Sequence, residues 1–567
     1  MASLAGVIAG CCLPSMASAA TQTRSKLSLP PSAIQSDYDV VVVGSGYGGA
    51  VMAARLAPGR KLCVLERGRE WQPSDFPSQL DQAIGEFRGS TKPLGLFDYH
   101  AGPHVDVLVG NGLGGTSLIN ANVVMPPDRD IFSGWPAAIR NDYASGVMAG
   151  YEKRVLDMLA VEAVGQADGL RKNWFHVSTS EQRKKAGSRG KTGNLPLSVN
   201  LSRYASAPNA QGVVQALCKR CGDCVTGCRY GAKNSLDVNY LPLARQRGAE
   251  IISRTEVSHV ERLANGQWRV HYVARPEGAA AYSGALTARA VVLSAGTLGT
   301  TKILMRSRAQ GLPLSDALGK RFSANGDILG LAYNTDVQTN IMGFGTGLPA
   351  MGLQKVGPTI TTVSDYRGAA AVSERFLIED GAVPSLLVDA MRTGLPPLAG
   401  ISTSIPEDQR MAKDLAGKDA RGALNHSMIY LGIGHDSAGG RLELAANGSV
   451  SVNWPGITDE PFVSRIRAEM TRHANAFEGT YLDSPRSHPI FGGAMTTVHP
   501  LGGSPMSDRS DSGVVNANGQ VYDPRTGLTG VHSGLYAVDG SIVPGSIGVN
   551  PLLTIAALAE RAADRFS

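Results

Sequence analysis

Three glycines and one glutamate near the start of the chain have the spacing of a dinucleotide-binding turn. The glycines follow the apolar run DVVVV as Gly44-x-Gly46-x-x-Gly49, and Glu66 ends the next apolar run, KLCVLE. Gly44 permits a tight turn, Gly46 lets the backbone approach a diphosphate, and Gly49 lets a helix pack closely on the strand. Glu66 follows Gly44 by 22 residues, near the position of the acid that holds a ribose diol. The pattern predicts a nucleotide site on a strand, turn and helix.

A second group with chemical potential consists of four cysteines with the spacing CxxCxxCxxxC, namely Cys218, Cys221, Cys224 and Cys228. This is the spacing of an iron–sulfur loop, although Arg229 stands where ferredoxin loops carry proline. A structural zinc is an alternative use of four thiolates. Disulfides in an exported protein and free thiols are further alternatives. The spacing therefore leaves four uses open: an iron–sulfur centre, a structural zinc, disulfides and free thiols.

The predicted elements around these groups indicate that several separate segments of the chain form one nucleotide-binding domain. Alternating strands and helices predict an α/β fold with a doubly wound sheet. Short runs with Gly and Pro punctuation, including the hairpin sequence LELAANGSVSVN, predict a mostly antiparallel second domain. The expected divisions are a leader or signal segment (1–36), nucleotide-domain parts (37–150, 216–330 and 496–567), an excursion or lid (151–215) and a substrate domain (331–495).

The composition of the chain argues against two kinds of function, nucleic-acid binding and membrane spanning. The 567 residues are 43% hydrophobic and 18% charged, with a formal net charge of +6. The most basic stretch, 171–191, lacks interleaved aromatic residues and is predicted to be a solvated loop, so we expect no nucleic-acid partner. No apolar run is long enough for a transmembrane helix. Residues 1–20 carry no charge and include an A-x-A-like site, which leaves export and retention in the cytoplasm equally open.

Five ordered blocks resemble one enzyme family over nearly the whole chain from Asp39. The blocks are VVVGSGYGG, LVGNGLGGTSLINANV, VVLSAGTLGTTKILMRS, TTVHPLGGSPM and LYAVDGSIVPGSIGVNPLLTIAALAERAA. They resemble the glucose–methanol–choline (GMC) oxidoreductases, and most closely the flavin-dependent, cholesterol oxidase-like members. The resemblance implies FAD as the cofactor. It also implies a Rossmann-like FAD-binding domain beside a mostly antiparallel substrate domain.

The resemblance assigns roles position by position. It places Gly44, Gly46, Gly49 and Glu66 on the adenosine half of FAD, with the Val257 backbone at the adenine. The residues that it places along the rest of the cofactor are Gly114, Gly115, Asn120, Asp539, Gly540, Asn550, Pro551 and Thr554. It places His499 and Asn550 against the substrate alcohol.

The chemistry of alcohol oxidation suits the pair His499 and Asn550. A hydride leaves carbon only as the hydroxyl proton is removed, and a histidine can accept that proton near neutral pH. A side-chain amide can orient the hydroxyl. We therefore expect an FAD-dependent enzyme that oxidises an alcohol, with a sterol or another bulky hydroxy compound as the substrate and oxygen or another acceptor. The alternatives are an acceptor-linked dehydrogenase with an iron–sulfur centre, a lyase on the same scaffold, and an electron-transfer module.

The sequence differs from the cholesterol oxidases at one functional position. Those enzymes carry a glutamate that serves the isomerisation of the steroid double bond. The matching stretch is ALNHSMIYLGIGHD, and it contains no acid from Gly422 to His435. The sequence therefore predicts a site without that carboxylate and without an isomerase step.

Overall fold

The computed structural model describes residues 24–165, 168–188, 190–204, 207–347, 355–403, 408–417, 419–487 and 492–567. Most of the predicted leader, residues 1–23 with Cys11 and Cys12, lies outside the described residues. The end of that segment is described, and Leu29 forms a parallel bridge to Ile252.

The bounds of the elements follow in chain order. The strands are β1 (Asp37–Val43), β2 (Leu62–Leu65), β3 (Phe97–His100), β4 (Val105–Gly110), β5 (Glu162–Ala163), β6 (Lys191–Asn194), β7 (Pro196–Leu197), β8 (Glu250–Ile252), β9 (Thr255–Arg262), β10 (Trp268–Ala274), β11 (Tyr282–Leu293), β12 (Ile328–Tyr333), β13 (Thr362–Asp365), β14 (Leu377–Gly381), β15 (Met428–Ile433), β16 (Arg441–Leu444), β17 (Val450–Asn453), β18 (Thr480–Asp483), β19 (Met495–Thr497), β20 (Gln520–Tyr522) and β21 (Val531–Ala537). The α-helices are α1 (Tyr47–Leu56), α2 (Leu80–Gly85), α3 (Ala137–Ala144), α4 (Val147–Met158), α5 (Arg171–Lys185), α6 (Tyr240–Gln246), α7 (Gly296–Ala309), α8 (Val388–Thr403), α9 (Gln409–Ala416), α10 (Pro461–Asn475) and α11 (Leu552–Asp564).

The nucleotide domain is built on an eight-stranded sheet with β1 near its centre. The strand order is β20-β21-β11-β1-β2-β8, and β10 joins β11 to β9. β1 pairs in parallel with β11 and β2. Side chains alternate between the faces of a strand, so Val40 and Val42 pack with α1 and α11 while Val41 and Val43 pack on the opposite face. Both faces are buried, as expected for parallel strands, and the predicted doubly wound α/β fold is confirmed.

The second domain contains a six-stranded sheet in the order β18-β12-β15-β14-β13-β6. Every neighbouring pair in this sheet is antiparallel. The predicted hairpin is also present, because β16 and β17 pair around the turn that contains Gly448. The mostly antiparallel second domain is therefore confirmed, although its edge strand β6 comes from the stretch predicted as an excursion.

The basic stretch 171–191 is not the solvated loop predicted from its composition. Its larger part forms α5, which buries Phe175, His176 and Thr179 and packs against β13 and β14. Lys172 in α5 is fully buried and forms an ion pair with Asp380 of β14. The prediction was wrong because this helix buries polar residues, and its buried face therefore lacks an apolar periodicity.

Among the helices of the described ranges, none combines the length and the apolar character needed to span a bilayer.

Candidate active site

Two glycine-rich turns from different parts of the chain meet at the end of β1. Gly44 adopts φ +95°, a conformation that favours glycine. A Cβ on Gly48 would lie 1.8 Å from the carbonyl oxygen of Val538, so this glycine, which we did not single out from sequence, is required for close packing of α1. A Cβ on Gly115 would lie 3.0 Å from the Cα of Gly46. A Cβ on Gly46 would meet no described atom within 4 Å, so the space beside it is open.

Glu66 braces the first turn at the end of β2. Its Oε2 accepts hydrogen bonds from Ser45 N at 3.1 Å and Ser45 Oγ at 2.6 Å, and its Oε1 accepts from Gly68 N at 2.7 Å. Ser45 Oγ also lies 3.0 Å from Gly114 N, which links the two turns. Glu66 therefore shapes the turn as well as lining the space beside it.

A cavity of about 1,100 Å³ connects the two glycine turns with the antiparallel sheet. Ligand sites typically enclose about 300–1,000 Å³, so this cavity has room for a long ligand together with a second molecule. The predicted residues that line it are Gly44, Gly46, Glu66, Gly115, Asn120, Val257, His499, Asp539, Gly540, Asn550 and Pro551. The structure thus brings together residues that are separated by as many as 507 positions in the chain, from Gly44 to Pro551.

Three of the predicted cofactor residues are not on the cavity wall. A Cβ on Gly49 would lie 2.1 Å from Gly44 O, so Gly49 permits close packing of α1 on the turn. Gly114 joins the turns through Ser45. Thr554 is fully buried in α11, and its Oγ1 has no hydrogen-bond partner among the described residues.

The residues of this cavity fit FAD, the cofactor that the resemblance implies. The open space beside Gly46 lies at the N-terminus of α1, where backbone N–H groups favour a phosphate. Asn120 donates through Nδ2 to Tyr47 Oη at 2.9 Å, which leaves its buried Oδ1 without a partner among the described residues. Buried polar atoms are normally hydrogen-bonded, so an orphaned acceptor on a cavity wall is consistent with a polar ligand such as FAD.

The carboxylate of Asp539 also forms hydrogen bonds that hold the wall of this cavity together. Its Oδ2 accepts from Gly296 N at 2.9 Å and Thr300 Oγ1 at 2.5 Å, and its Oδ1 accepts from Ser541 N at 2.8 Å. These bonds fasten the N-terminus of α7 to the C-terminal segment. Burial raises the pKa of the Asp539 carboxyl, against the hydrogen bonds from Ser541 and Thr300.

His499 reaches the cavity from the segment that follows β19. Its Nδ1 lies 2.8 Å from Oδ1 of Asp327, a carboxylate that is only 1% exposed. No described residue forms a hydrogen bond to Nε2, which leaves this nitrogen for a ligand in the cavity.

Asn550 faces a second buried carboxylate, Glu379 of β14. Its Nδ2 donates to Glu379 Oε2 at 3.3 Å, while Asn550 Oδ1 and Glu379 Oε1 are buried without partners among the described residues. The stretch 422–435, which includes β15, contains no acid, as stated above, but the neighbouring strand β14 supplies Glu379 beside Asn550. Glu379 pairs with Leu431 across the two strands. The sequence signal that could have indicated this acid is the EDG triplet at the end of the apolar run of β14.

The two carboxylates and the histidine influence each other's protonation. Burial lowers the pKa of His499, but the charge and hydrogen bond of Asp327, with the charge of Glu379, outweigh burial and raise it above its ordinary value. Burial raises the pKa of Glu379 to about 8, against the lowering effects of His499 and Asn550. A basic imidazole on the cavity wall therefore lies near a buried carboxyl, behind Asn550, that is largely protonated at neutral pH.

The described side chains give no support to a metal site at the four cysteines. Among the described residues, no three Cys, His, Asp or Glu side chains are arranged as metal ligands. Cys218, Cys221, Cys224 and Cys228 are free thiols, as is the buried Cys63 of β2. Burial raises the pKa of Cys218 to about 12 and also raises those of Cys221 and Cys224, which favours the neutral thiol in the metal-free protein.

Hydrogen bonds hold the cysteine loop in place. Cys224 N donates to Thr359 Oγ1 at 3.2 Å. The buried Lys233 Nζ donates to the carbonyl oxygens of Asn120 at 2.7 Å, Leu118 at 3.1 Å and Cys224 at 3.1 Å. These hydrogen bonds connect the loop to the second glycine turn. Lys233 donates to backbone carbonyl groups in this arrangement.

Comparisons with known proteins agree with this architecture. The sequence models of the GMC oxidoreductase family match residues 38–324 and 459–559. The chain is 27% identical to a cholesterol oxidase of Mycobacterium tuberculosis over 94% of this chain and 91% of that protein. It is 28% identical to a cholesterol oxidase of Acinetobacter baumannii, covering 93% and 94% of the two chains. A solved structure of pyridoxine 4-oxidase from Mesorbium loti matches with TM-score 0.60 and 16% identity, covering 93% of this chain and 99% of the other.

The FAD-fitting cavity and the family match support the same conclusion. The chain belongs to the GMC oxidoreductase family and is an FAD-dependent oxidoreductase of the class that acts on CH–OH groups.

Proposed function

We propose that the protein oxidises a bulky, apolar alcohol, such as a sterol, to the corresponding carbonyl compound. The main support for this proposal is that His499 and Asn550 line the same cavity as both glycine turns. Each of the two side chains also forms a hydrogen bond with a buried carboxyl group. When bound, FAD supplies the hydride acceptor. Nε2 of His499 takes the hydroxyl proton, so the alcohol loses a hydride and a proton in total.

The amide of Asn550 orients the hydroxyl group. Nδ2 carries two N–H groups and Glu379 engages one of them, so the other is left as a donor to the oxygen of the substrate hydroxyl. A donor to that oxygen orients the hydroxyl without competing for the proton that His499 removes.

The apolar wall of the cavity favours a large hydrophobic substrate. It includes Leu331, Leu431 and Leu482 of the antiparallel sheet and Met391 and Leu395 of α8. Apolar walls with few polar groups are typical of sites for bulky organic ligands. The similar proteins named cholesterol oxidase favour a sterol, and their naming as oxidases favours oxygen as the final acceptor, with hydrogen peroxide as the second product.

Anaerobic mixing of the FAD-loaded protein with sterols and long-chain alcohols tests the proposal. We expect the visible flavin absorbance to disappear with an active substrate and to return on admission of oxygen. His499→Gln should keep the flavin spectrum and slow reduction about 10²- to 10⁴-fold, the usual contribution of a general base. Turnover with the flavin still oxidised would indicate a lyase. No bleaching by any alcohol would favour an electron-transfer module.

Glu379 favours a second activity on the same substrate, the migration of a double bond. Oxidation of an alcohol whose double bond is one carbon removed gives a ketone with an acidic carbon between the two groups. The ionised form of a carboxyl group with a raised pKa is a stronger base than an ordinary carboxylate, so it can remove that proton and return it at the far end of the double bond. Its Oε1 is buried without a described partner.

Glu379→Gln separates the two activities. We expect the variant to bleach its flavin with such an alcohol and to release the unconjugated ketone, which lacks the ultraviolet absorbance of the conjugated product. Conjugation by the variant at the wild-type rate would exclude Glu379 from this role.

A further inference from the structure

The carboxylate of Asp327 holds the segment that carries His499 at three points. Its Oδ1 lies 2.8 Å from His499 Nδ1. Its Oδ2 accepts from Val498 N at 3.0 Å and from Thr497 Oγ1 at 2.9 Å. Asp327 is 1% exposed, and the oxygens of a buried carboxylate need hydrogen-bond donors of this kind. The histidine ring is therefore fixed through its side chain and through the backbone next to it.

The short loop before Asp327 also holds the segment before Asn550. Asn325 Nδ2 donates to Val549 O at 2.8 Å, and Asn325 Oδ1 accepts from Ile547 N at 2.9 Å. Asn325 adopts φ +55°, a region that asparagine tolerates better than most residues. One loop thus sets the relative position of both residues that we place against the substrate.

The contact with Asp327 determines which ring nitrogen of His499 carries the proton. An ionised carboxylate only accepts hydrogen bonds, so Nδ1 must donate to Oδ1. In the neutral imidazole, Nε2 is then the nitrogen with a free lone pair, and Nε2 is the one without a described hydrogen-bond partner. This tautomer is the one that a general base in the cavity requires.

The charged groups that face His499 come from two elements. Burial lowers the pKa of His499, while Asp327, which directly precedes β12, and Glu379, from β14, both raise it. Asp327 is the larger of these two charge effects and adds its hydrogen bond. Without the Asp327 charge, burial would weigh more heavily, and the imidazole would lose its proton at lower pH.

We propose that Asp327 is a positioning residue that fixes His499 with Nδ1 protonated and Nε2 free to accept the proton of the substrate hydroxyl. The role rests on the proposed function of His499 as the general base. Asp327 itself touches neither the cavity nor the reacting atoms.

Asp327→Asn tests this role in the FAD-loaded protein. The asparagine amide can donate to Nδ1 and so stabilise the opposite tautomer. We expect flavin reduction at the optimal pH to slow about 10²- to 10⁴-fold and the acidic limb of the reduction profile to move to lower pH. The matched control is Asp523→Asn, which alters another buried aspartate beside a histidine, with His532 Nδ1 at 3.6 Å. Asp523 does not line the cavity, and the control should reduce its flavin like the wild type.

Nitrogen-15 NMR of histidine-labelled, FAD-loaded wild type tests the tautomer without using activity. The His499 signals are assigned by their loss in His499→Gln. We expect a protonated Nδ1 and an unprotonated Nε2 above the pKa of the ring. A protonated Nε2 in the wild type would overturn the proposal, as would wild-type rates and an unshifted profile in Asp327→Asn. If His499→Gln reduces its flavin at full rate, the proposed function fails, while the NMR result still decides the Asp327 contact.

Discussion

The side-chain amide of Asn550 donates to the buried carboxyl of Glu379, which comes from a strand 171 positions earlier in the chain. The bond ties the C-terminal segment of the nucleotide domain to the antiparallel sheet at the cavity. Glu379 is ionisable at this position. A glutamine in its place could accept the same hydrogen bond but could not carry a charge.

Glu379→Gln should therefore change how the free energy of unfolding depends on pH. Burial raises the pKa of Glu379 from 4.5 to about 8, so between these values the folded protein holds a proton that the unfolded chain releases. Stability from this group is lost as the pH rises through that window. We expect the stability of the variant relative to wild type to grow from pH 5 to pH 8 in denaturant titrations of the FAD-loaded proteins. A constant difference across this range would contradict the raised pKa.

Gly46→Ala should weaken FAD binding without unfolding the protein. A Cβ at Gly46 meets no described atom within 4 Å, so only a bound cofactor would collide with it. We expect the dissociation constant for FAD to rise about tenfold or more, which is about 1.4 kcal/mol, with unchanged stability of the FAD-free protein. Equilibrium titration with FAD measures the first quantity, and chemical denaturation measures the second.

Two other glycines provide the comparisons for Gly46. Gly134→Ala lies away from the cavity and has free space around its Cβ, so it should behave as wild type in both measurements. Gly48→Ala should fail to fold, because its Cβ would lie 1.8 Å from Val538 O. Unchanged FAD affinity in Gly46→Ala would show that the diphosphate does not pass this turn.

Lys172→Met should destabilise the antiparallel sheet strongly. The variant leaves Asp380 buried without its cation, and both side chains are fully buried in the wild type. Loss of one partner from a buried ion pair costs about 3–5 kcal/mol. The matched control is Lys153→Met, because Lys153 pairs with Asp157 on the surface and such pairs contribute about 0–1 kcal/mol. Equal effects of the two substitutions on denaturant unfolding would refute the burial argument.

Three thiols of the cysteine loop, Cys218, Cys221 and Cys224, should react slowly with alkylating reagents at neutral pH. Burial raises the pKa values of Cys218, Cys221 and Cys224, and only the thiolate is the nucleophile. We expect modification by iodoacetamide, followed by mass spectrometry, to accelerate about tenfold per pH unit between pH 7 and pH 9. Rapid labelling at pH 7 would show that these thiols are ionised. The denatured protein, labelled in parallel, gives the unperturbed rate.

The sequence by itself determined those features that depend on neighbouring residues. The turn after β1 requires Gly44 for its backbone conformation, and the apolar runs around it specify buried parallel strands. Ordered sequence blocks also identified the cavity residues Asn120, His499 and Asn550 through their resemblance to a family. These features are encoded locally, so they can be read without knowing which segments are neighbours in space.

Only the tertiary structure decided which groups act on His499 and Asn550. Asp327 and Glu379 lie 172 and 171 positions from their partners, and no local pattern distinguishes them from other acids. The place of β14 in the antiparallel sheet brings Glu379 beside Asn550, and the loop before β12 brings Asp327 behind the imidazole. The same limit applies to Lys172, whose partner Asp380 is on another element, and to the four cysteines, whose use their spacing alone does not decide.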